Sequence, residues 1–443
     1  MKVIIIGGIA SGMSAAAKLR RVNPEAQVVV YEKMEYISFG ACGLPYYVGD
    51  FFEDDKCMMA RTPEQVRNMG ISLNLRHEVI KVDTKNQTVL VKNLETGEEF
   101  EDSYDQLMIA TGASAVVPPI ENIHLENVYE LRTLEDGHRV REKLLDPKIK
   151  KVGIVGAGFI GLEVVEAAMK QNKEVVVFQS GERVLRGVFD VEITDILETE
   201  LRNEGVQLYL NANVKSLEGN VTVSKIITDK EEVDVDLVII ATGVRPNTSF
   251  LDDTGIKMLS NGAIVVDQEG RTSIPGVFAA GDCATVPHLL KSDAYIPLAT
   301  SANKLGRVVG ENLGGGHAKF EGTLGSSCIK VLHMEAGRTG LTEQEARNTG
   351  RNIKTTFITD KNHTDYYPGQ EKLSVKLIYD ADTYEILGGQ TVGMSDAVLR
   401  CNIIATAIHA KMTTKQLGMI DLCYSPPFAR TWDVINIAGN SAK

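Results

Sequence analysis

Val3-Ile4-Ile5-Ile6-Gly7-Gly8-Ile9-Ala10-Ser11-Gly12 is the stretch whose reading decides the fold. Four consecutive apolar residues, all β-branched, describe a strand buried on both faces, as in a parallel sheet. The glycines then make a tight turn, and an Ala-rich helix is expected over Met13–Arg21. A second strand, Gln27–Tyr31, ends at Glu32. Strand, glycine turn, small-residue helix, strand and acid in this order are the βαβ dinucleotide fingerprint. In it a pyrophosphate sits at the helix N-terminus and the acid bonds a ribose hydroxyl. Ile9 stands where GxGxxG has its middle glycine, so the case rests on the order of the elements. A second copy strengthens it. Lys151-Val152-Gly153-Ile154-Val155 runs into Gly156-Ala157-Gly158-Phe159-Ile160-Gly161, with all three glycines present, about 150 residues after the first. Two dinucleotides should bind.

Both units are followed by a buried strand ending in Ala-Thr-Gly, at Ala110-Thr111-Gly112 and Ala241-Thr242-Gly243. A further strand ends in Gly281-Asp282, at the carboxyl end where α/β sheets take ligands. From about Gly325 the pattern changes to alternating strands such as Leu373–Tyr379, with a helix expected over Val398–Lys411. The fold class is therefore α/β, with two Rossmann-like dinucleotide-binding domains followed by an α+β domain.

Composition narrows the function. A chain of 443 residues with 43% apolar and 24% charged residues can bury two or three cores. A net charge of -12 argues against nucleic acid and anionic membranes as partners, while leaving room for a local basic pocket. The apolar run at the N-terminus is too short for a signal peptide and no stretch is long enough to span a bilayer, which predicts a cytoplasmic protein. Cysteines 42, 57, 283, 328, 401 and 423 contain no CxxC pair, which fits neither a disulfide framework nor a zinc site, and no metal is expected. Most of them are expected to be buried thiols.

These pieces resemble the pyridine nucleotide-disulfide oxidoreductase family over essentially the whole chain. The resemblance implies a glutathione reductase-like plan: an FAD-binding domain at 1–112 and 251–324, an NAD(P)H-binding domain at 113–250, and a homodimerisation domain at 325–443. It assigns Gly7, Gly8, Gly12, Glu32, Thr111, Gly112, Gly281, Asp282 and Ala299 to FAD. Gly156, Gly158, Gly161, Glu163, Gln179, Arg183 and Gly243 fall to the nicotinamide nucleotide.

The cysteine decides the branch. Ser38-Phe39-Gly40-Ala41-Cys42-Gly43 contains one cysteine, and the next is 15 residues on, so an internal disulfide like that of glutathione reductase is ruled out. A lone cysteine beside flavin stores electrons as a mixed disulfide or a sulfenic acid. The frame is similar to coenzyme A disulfide and persulfide reductases, water-forming NADH oxidases and NADH peroxidases. Oxidases and peroxidases place a histidine near the end of the first glycine loop; this chain has Ala10-Ser11-Gly12. His363-Thr364-Asp365-Tyr366-Tyr367-Pro368-Gly369 and Tyr424-Ser425-Pro426-Pro427-Phe428 resemble the segments with which coenzyme A disulfide reductases bring two tyrosines from the partner subunit to the cysteine. The matching positions are Tyr366, with Tyr367 as the other register, and Tyr424, the candidate general acid.

The resemblance also implies substrate contacts at Ser14, Lys18, Arg21 and Ser38, which would recognise coenzyme A. The second ribose-reading strand ends in Gln179-Ser180, without the acid that repels a 2′-phosphate, and Arg183 or Arg186 could pair with that phosphate. The reading favours NADPH, or use of both nucleotides. The expected activity is FAD-dependent reduction of coenzyme A disulfide, or persulfide, by NAD(P)H through a mixed disulfide on Cys42. The alternatives are a water-forming NADH oxidase with a Cys42 sulfenic acid, and a flavin redox sensor or electron-transfer protein. With the chain ending at Lys443, an appended sulfurtransferase domain is not expected.

Overall fold

The computed structural model describes all 443 residues. They form two compact units, one of residues 1–44, 52–116 and 244–323, the other of residues 45–51, 117–243 and 324–443.

The first unit is organised by a parallel sheet in the order Val277–Ala279, Gln106–Ile109, Lys2–Ile6, Gln27–Glu32, Ile71–Leu75. The opening strand lies between two neighbours, with Ile5 opposite both Val30 and Met108. That is why Val3, Ile4 and Ile5 are all fully buried. Helix Ala10–Val22 begins three residues earlier than expected, inside the glycine loop. It crosses helix Ala299–Leu313 at backbone contact: a Cβ on Gly306 would come 2.5 Å from the Ser11 carbonyl oxygen, and one on Gly310 would come 2.4 Å from that of Ala15.

The second unit repeats the plan in the order Gln207–Leu210, Glu174–Gln179, Lys151–Val155, Leu237–Ile240, Val128–Glu130, again all parallel. It also holds an antiparallel sheet, Ser327–Val331, Met334–Gly340, Ile386–Gly393, Lys372–Asp380, Ile353–Lys361. Helix Ala397–His409 packs on its middle strands and helix Val434–Ser441 on the last two.

The alternating pattern of Leu373–Tyr379 suggests a strand with one wet face. In the structure every residue from Leu373 to Asp380 is buried. The polar positions are covered because helix Val191–Asn203 lies against the same sheet. The Lys376 ammonium, 1% exposed, is held by Glu192 at 2.8 Å, Glu343 at 2.8 Å and Asp190 at 3.3 Å. Desolvation of the ammonium is offset by these three carboxylates.

The cysteines also depart from expectation. Only Cys283 and Cys401 are buried; Cys42, Cys57, Cys328 and Cys423 are exposed. On the short turn Asp55–Met58 it is Met58 that points inward, and Cys328 occupies an outward position of an edge strand. No helix is long and apolar enough to cross a membrane.

Candidate active site

The first glycine loop is shaped by contacts that a side chain would break. Gly7 has φ +107°, and a Cβ there would fall 2.2 Å from the Ala110 carbonyl oxygen; one on Gly12 would fall 1.9 Å from that of Gly7. These approaches bring the start of helix Ala10–Val22 down onto the strand ends. That helix has no side-chain cap and no acid in its first turn, so its free N–H groups and dipole face the loop. Helix Ala299–Leu313 starts at Ala299 in the same uncapped way. Glu32 is 5% exposed, and its carboxylate accepts from Gly8 N–H at 2.6 Å and Met34 N–H at 2.9 Å. Burial pushes its pKa up, against those two bonds. Gly281, at φ +91°, sits against Ser11, whose hydroxyl donates to Ala280 O at 2.9 Å. The Asp282 carbonyl accepts from the Tyr295 hydroxyl at 3.0 Å. Thr111 donates to Asn247 O at 2.7 Å, and Asn247 returns a bond to Thr111 O at 3.1 Å while its N–H meets Gly112 O at 3.0 Å. Asn247, absent from the sequence reading, holds the Ala-Thr-Gly turn.

Cys42 lies exposed on a 3-10 turn, Ala41–Gly43. Its loop is fixed to the dinucleotide turn by Ser38 N–H to Gly8 O at 2.9 Å, and to the next loop by Gly40 N–H to Met58 O at 2.8 Å and Ala60 N–H to Ser38 O at 3.0 Å. Ser38 takes φ +50°, and its hydroxyl is buried with no protein hydrogen-bond partner.

The same unit carries a groove of about 380 Å³ lined by Ser14, Ala17, Arg21, Arg61, Asn303, Lys304 and Arg307. Four cations line one groove in a chain of net charge -12. Ser14 donates to Asn303 Oδ1 at 2.8 Å. Ser14 and Arg21 thus share a site, while Lys18 is drawn away: its ammonium pairs with Glu311 at 3.0 Å and does not line the groove. Arg61, Asn303, Lys304 and Arg307 were missed by the sequence reading. The available signal was Asn303 and Arg307 at i, i+4 on one helix face.

In the second unit the glycine loop repeats the geometry. Gly156 has φ +108° and a Cβ there would meet Ala241 O at 2.3 Å; one on Gly161 would meet Gly156 O at 2.0 Å. Gly158 and Gly243 face open space. Helix Phe159–Lys170 is uncapped. The Gln179 amide oxygen accepts Ala157 N–H at 3.1 Å. Arg183 is held in an ion pair with Asp195. Arg186 instead lies over Gly181, where an added Cβ would be 3.1 Å from both Arg186 Cδ and Gln179 Nε2.

The segment Pro45–Phe51, next in sequence after the cysteine loop, packs on helix Phe159–Lys170. Lys170 donates to Gly49 O at 3.1 Å and lies over the Phe51 ring at 4.3 Å. Burial pushes the Glu163 carboxyl up to about 7, opposed by a hydrogen bond from Tyr46 and assisted by Glu166. A folded-state pKa above the ordinary 4.5 means that the folded protein holds the proton more tightly, so Glu163 costs stability as pH rises from about 4.5 through about 7. The cost above that window is on the order of 3 kcal/mol. Glu163→Gln is expected to flatten the fall in unfolding free energy between pH 5 and pH 8, measured by urea titration.

Tyr366 and Tyr424 meet hydroxyl to hydroxyl at 3.2 Å. Tyr367 turns away onto the His363 ring at 5.6 Å. In the same C-terminal stretch of chain as Tyr424, Phe428 and Trp432 are exposed at 72% and 52%, and Leu399 and Met419 of the preceding helices are exposed too. Large apolar side chains left exposed in this number are the kind that a subunit interface covers.

Residues 1–306 match the sequence profile described as pyridine nucleotide-disulphide oxidoreductase. The chain belongs to that family. Residues 326–434 match the family's dimerisation domain. Among curated relatives, the NAD(P)H coenzyme A polysulfide/persulfide reductase of Pyrococcus horikoshii is 39% identical, covering 100% of this chain and 98% of that one. An NADH oxidase of Enterococcus faecalis is 36% identical, covering 100% and 99%. Among solved structures, the reduced CoADR-RHD of Bacillus anthracis superposes with a TM-score of 0.95 at 31% identity, covering 100% of this chain and 80% of the other.

As a member of this family the protein is a homodimeric flavin oxidoreductase using FAD and NAD(P)H. The observed cradles fit both groups. Each glycine loop is pressed so close to neighbouring carbonyls that a Cβ would strike them, each faces an uncapped helix, and the Glu32 carboxylate at the end of the second strand is turned onto Gly8 of the first loop.

Proposed function

We propose that this enzyme reduces coenzyme A disulfides or persulfides with NAD(P)H through a mixed disulfide on Cys42. The observation that carries the reading is the basic groove beside the lone cysteine's loop. Arg61 in the groove wall follows Ala60, whose N–H is bonded to Ser38 O. Coenzyme A is a thiol carrying three phosphate groups, and a four-cation groove near the exposed Cys42 thiol suits both ends of it. The relatives named for coenzyme A-dependent sulfur chemistry are consistent with this.

In the first half of the cycle the Cys42 thiolate attacks one sulfur of the substrate disulfide. The S–S bond breaks, one coenzyme A departs as a thiolate that takes the proton of Tyr424, and the other stays joined to Cys42. When bound, FAD supplies the two-electron relay between NAD(P)H and sulfur. Reduction of the mixed disulfide releases the second coenzyme A and regenerates the Cys42 thiolate. Per turnover, one disulfide, one NAD(P)H and one proton give two thiols and NAD(P)+. In this reading Gly7, Gly8, Gly12, Glu32, Gly281 and the Ala299 helix start hold FAD, and Gly156, Gly158, Gly161 and Gln179 hold the nicotinamide nucleotide. Ser14, Arg21, Ser38, Arg61 and Arg307 receive coenzyme A. Tyr366 and Tyr424 serve Cys42 of the partner subunit.

Mass spectrometry of the Cys42 peptide before and after reductant tests the proposal. Loss of a coenzyme A mass is expected. An oxygen-sized adduct, together with rapid NAD(P)H consumption in air without added disulfide, would replace the reading with the oxidase.

The 2′-phosphate of NADPH is assigned to Arg186, since Arg183 is committed to Asp195 and no acid stands at Gln179. Arg186→Ala is expected to lower kcat/KM for NADPH by about 10- to 100-fold, the range of one charge-assisted contact, with NADH turnover unchanged. Arg183→Ala should leave the ratio between the two nucleotides alone.

A further inference from the structure

We propose a divalent metal site, suited to Zn2+, formed by Glu200, Glu204 and His333, outside the cysteine and nucleotide sites. The two glutamates stand at i, i+4 at the C-terminal end of helix Val191–Asn203, so their carboxylates project on one side. His333 stands in the two-residue turn between strands Ser327–Val331 and Met334–Gly340, where Leu332 takes φ +53°. The turn carries the imidazole to both acids.

The three donor atoms lie within 4.8 Å of one another. His333 Nδ1 is 3.0 Å from Glu200 Oε1 and 3.7 Å from Glu204 Oε1. Tetrahedral zinc with ligands at about 2.0–2.1 Å separates neighbouring donors by about 3.3–3.4 Å. The two distances from the imidazole bracket that edge, and the carboxylates lie within 4.8 Å of each other, so all three donors stand within reach of one ion. Glu200 is further oriented by the His333 backbone N–H at 3.2 Å, as outer hydrogen bonds orient metal ligands. Side-chain exposures of 60% for His333, 16% for Glu200 and 39% for Glu204 leave an open side for entry and for a water ligand.

One imidazole and two carboxylates favour a late first-row ion over Mg2+, which demands six oxygen donors in octahedral array. The cysteine spacing that argued against a zinc site does not bear on this set. Bound metal would tie the end of the helix from the nucleotide-binding half to a hairpin of the antiparallel sheet, replacing a His–Glu contact by bonds to a common ion.

The test is calorimetric titration of Zn2+ into chelator-treated holoenzyme, comparing the wild type with His333→Gln and Glu204→Gln, alongside thermal unfolding with and without Zn2+. All cysteines are kept, so zinc bound at thiols appears equally in every protein. The expected result is one site per chain that weakens by at least about tenfold in both variants, with a zinc-dependent rise in melting temperature in the wild type only. Isotherms and melting shifts that are the same in all three proteins, or no binding by the wild type, would overturn the site.

Discussion

Replacing Cys42 by serine should lower disulfide turnover by at least about 10³-fold while leaving FAD bound and still reducible by NAD(P)H. The serine hydroxyl is isosteric but cannot form a bond to sulfur, so no mixed disulfide forms and the loss falls on chemistry rather than on binding. The structure gives the substitution little reason to disturb the fold. Cys42 is exposed on its turn, and the bonds that fix the loop run through the backbone of Ser38, Gly40 and Ala60. Anaerobic stopped-flow absorbance separates the two halves of the reaction: flavin bleaching by NAD(P)H should persist, and reoxidation by added disulfide should vanish. Retention of disulfide turnover within about tenfold would refute a thiol intermediate.

How far the sequence reached depended on whether the chemistry was local in the chain. The glycine loops were legible because their close approaches arise within a few residues, as between Gly7 and Gly12, or at a strand neighbour that repeats, as with Ala110 and Ala241. The parallel strands were legible because burial on both faces demands an unbroken apolar run. Features set by distant packing were not. Lys18 has the right spacing for the groove but faces Glu311, nearly 300 residues away in sequence. Asn303, Lys304 and Arg307 reach Ser14 and Arg21 only because Gly306 and Gly310 let two helices touch. The strand Leu373–Asp380 reads as half wet, yet Lys376 is buried against three carboxylates contributed from outside its own sheet. Arg183 and Arg186 are equivalent on paper, and only the fold shows that the first is paired with Asp195. Tyr366 and Tyr367 are likewise adjacent, and the His363 ring takes the second.

Tyr424→Phe is expected to lower kcat with coenzyme A disulfide by about 10²-fold, with KM little changed, because general acid catalysis supplies roughly that factor. The phenol has only to protonate a departing thiolate, and both groups have ordinary pKa values above neutrality, so the transfer is close to level. The hydrogen bond with Tyr366, 3.2 Å between oxygens, is the main cause that raises the Tyr424 pKa. A raised phenol pKa keeps the proton in place to higher pH, so the pair extends the alkaline range over which Tyr424 can donate. Removing the Tyr366 hydroxyl removes that support without removing the acid. Tyr366→Phe should therefore cost less, about tenfold at neutral pH, and should move the alkaline limb of the kcat profile to lower pH. The double variant should be no worse than Tyr424→Phe alone, since Tyr366 acts through Tyr424. Measuring kcat from pH 6 to pH 10 for the three variants separates the roles: multiplicative losses, or an unmoved alkaline limb in Tyr366→Phe, would show that the two phenols act independently.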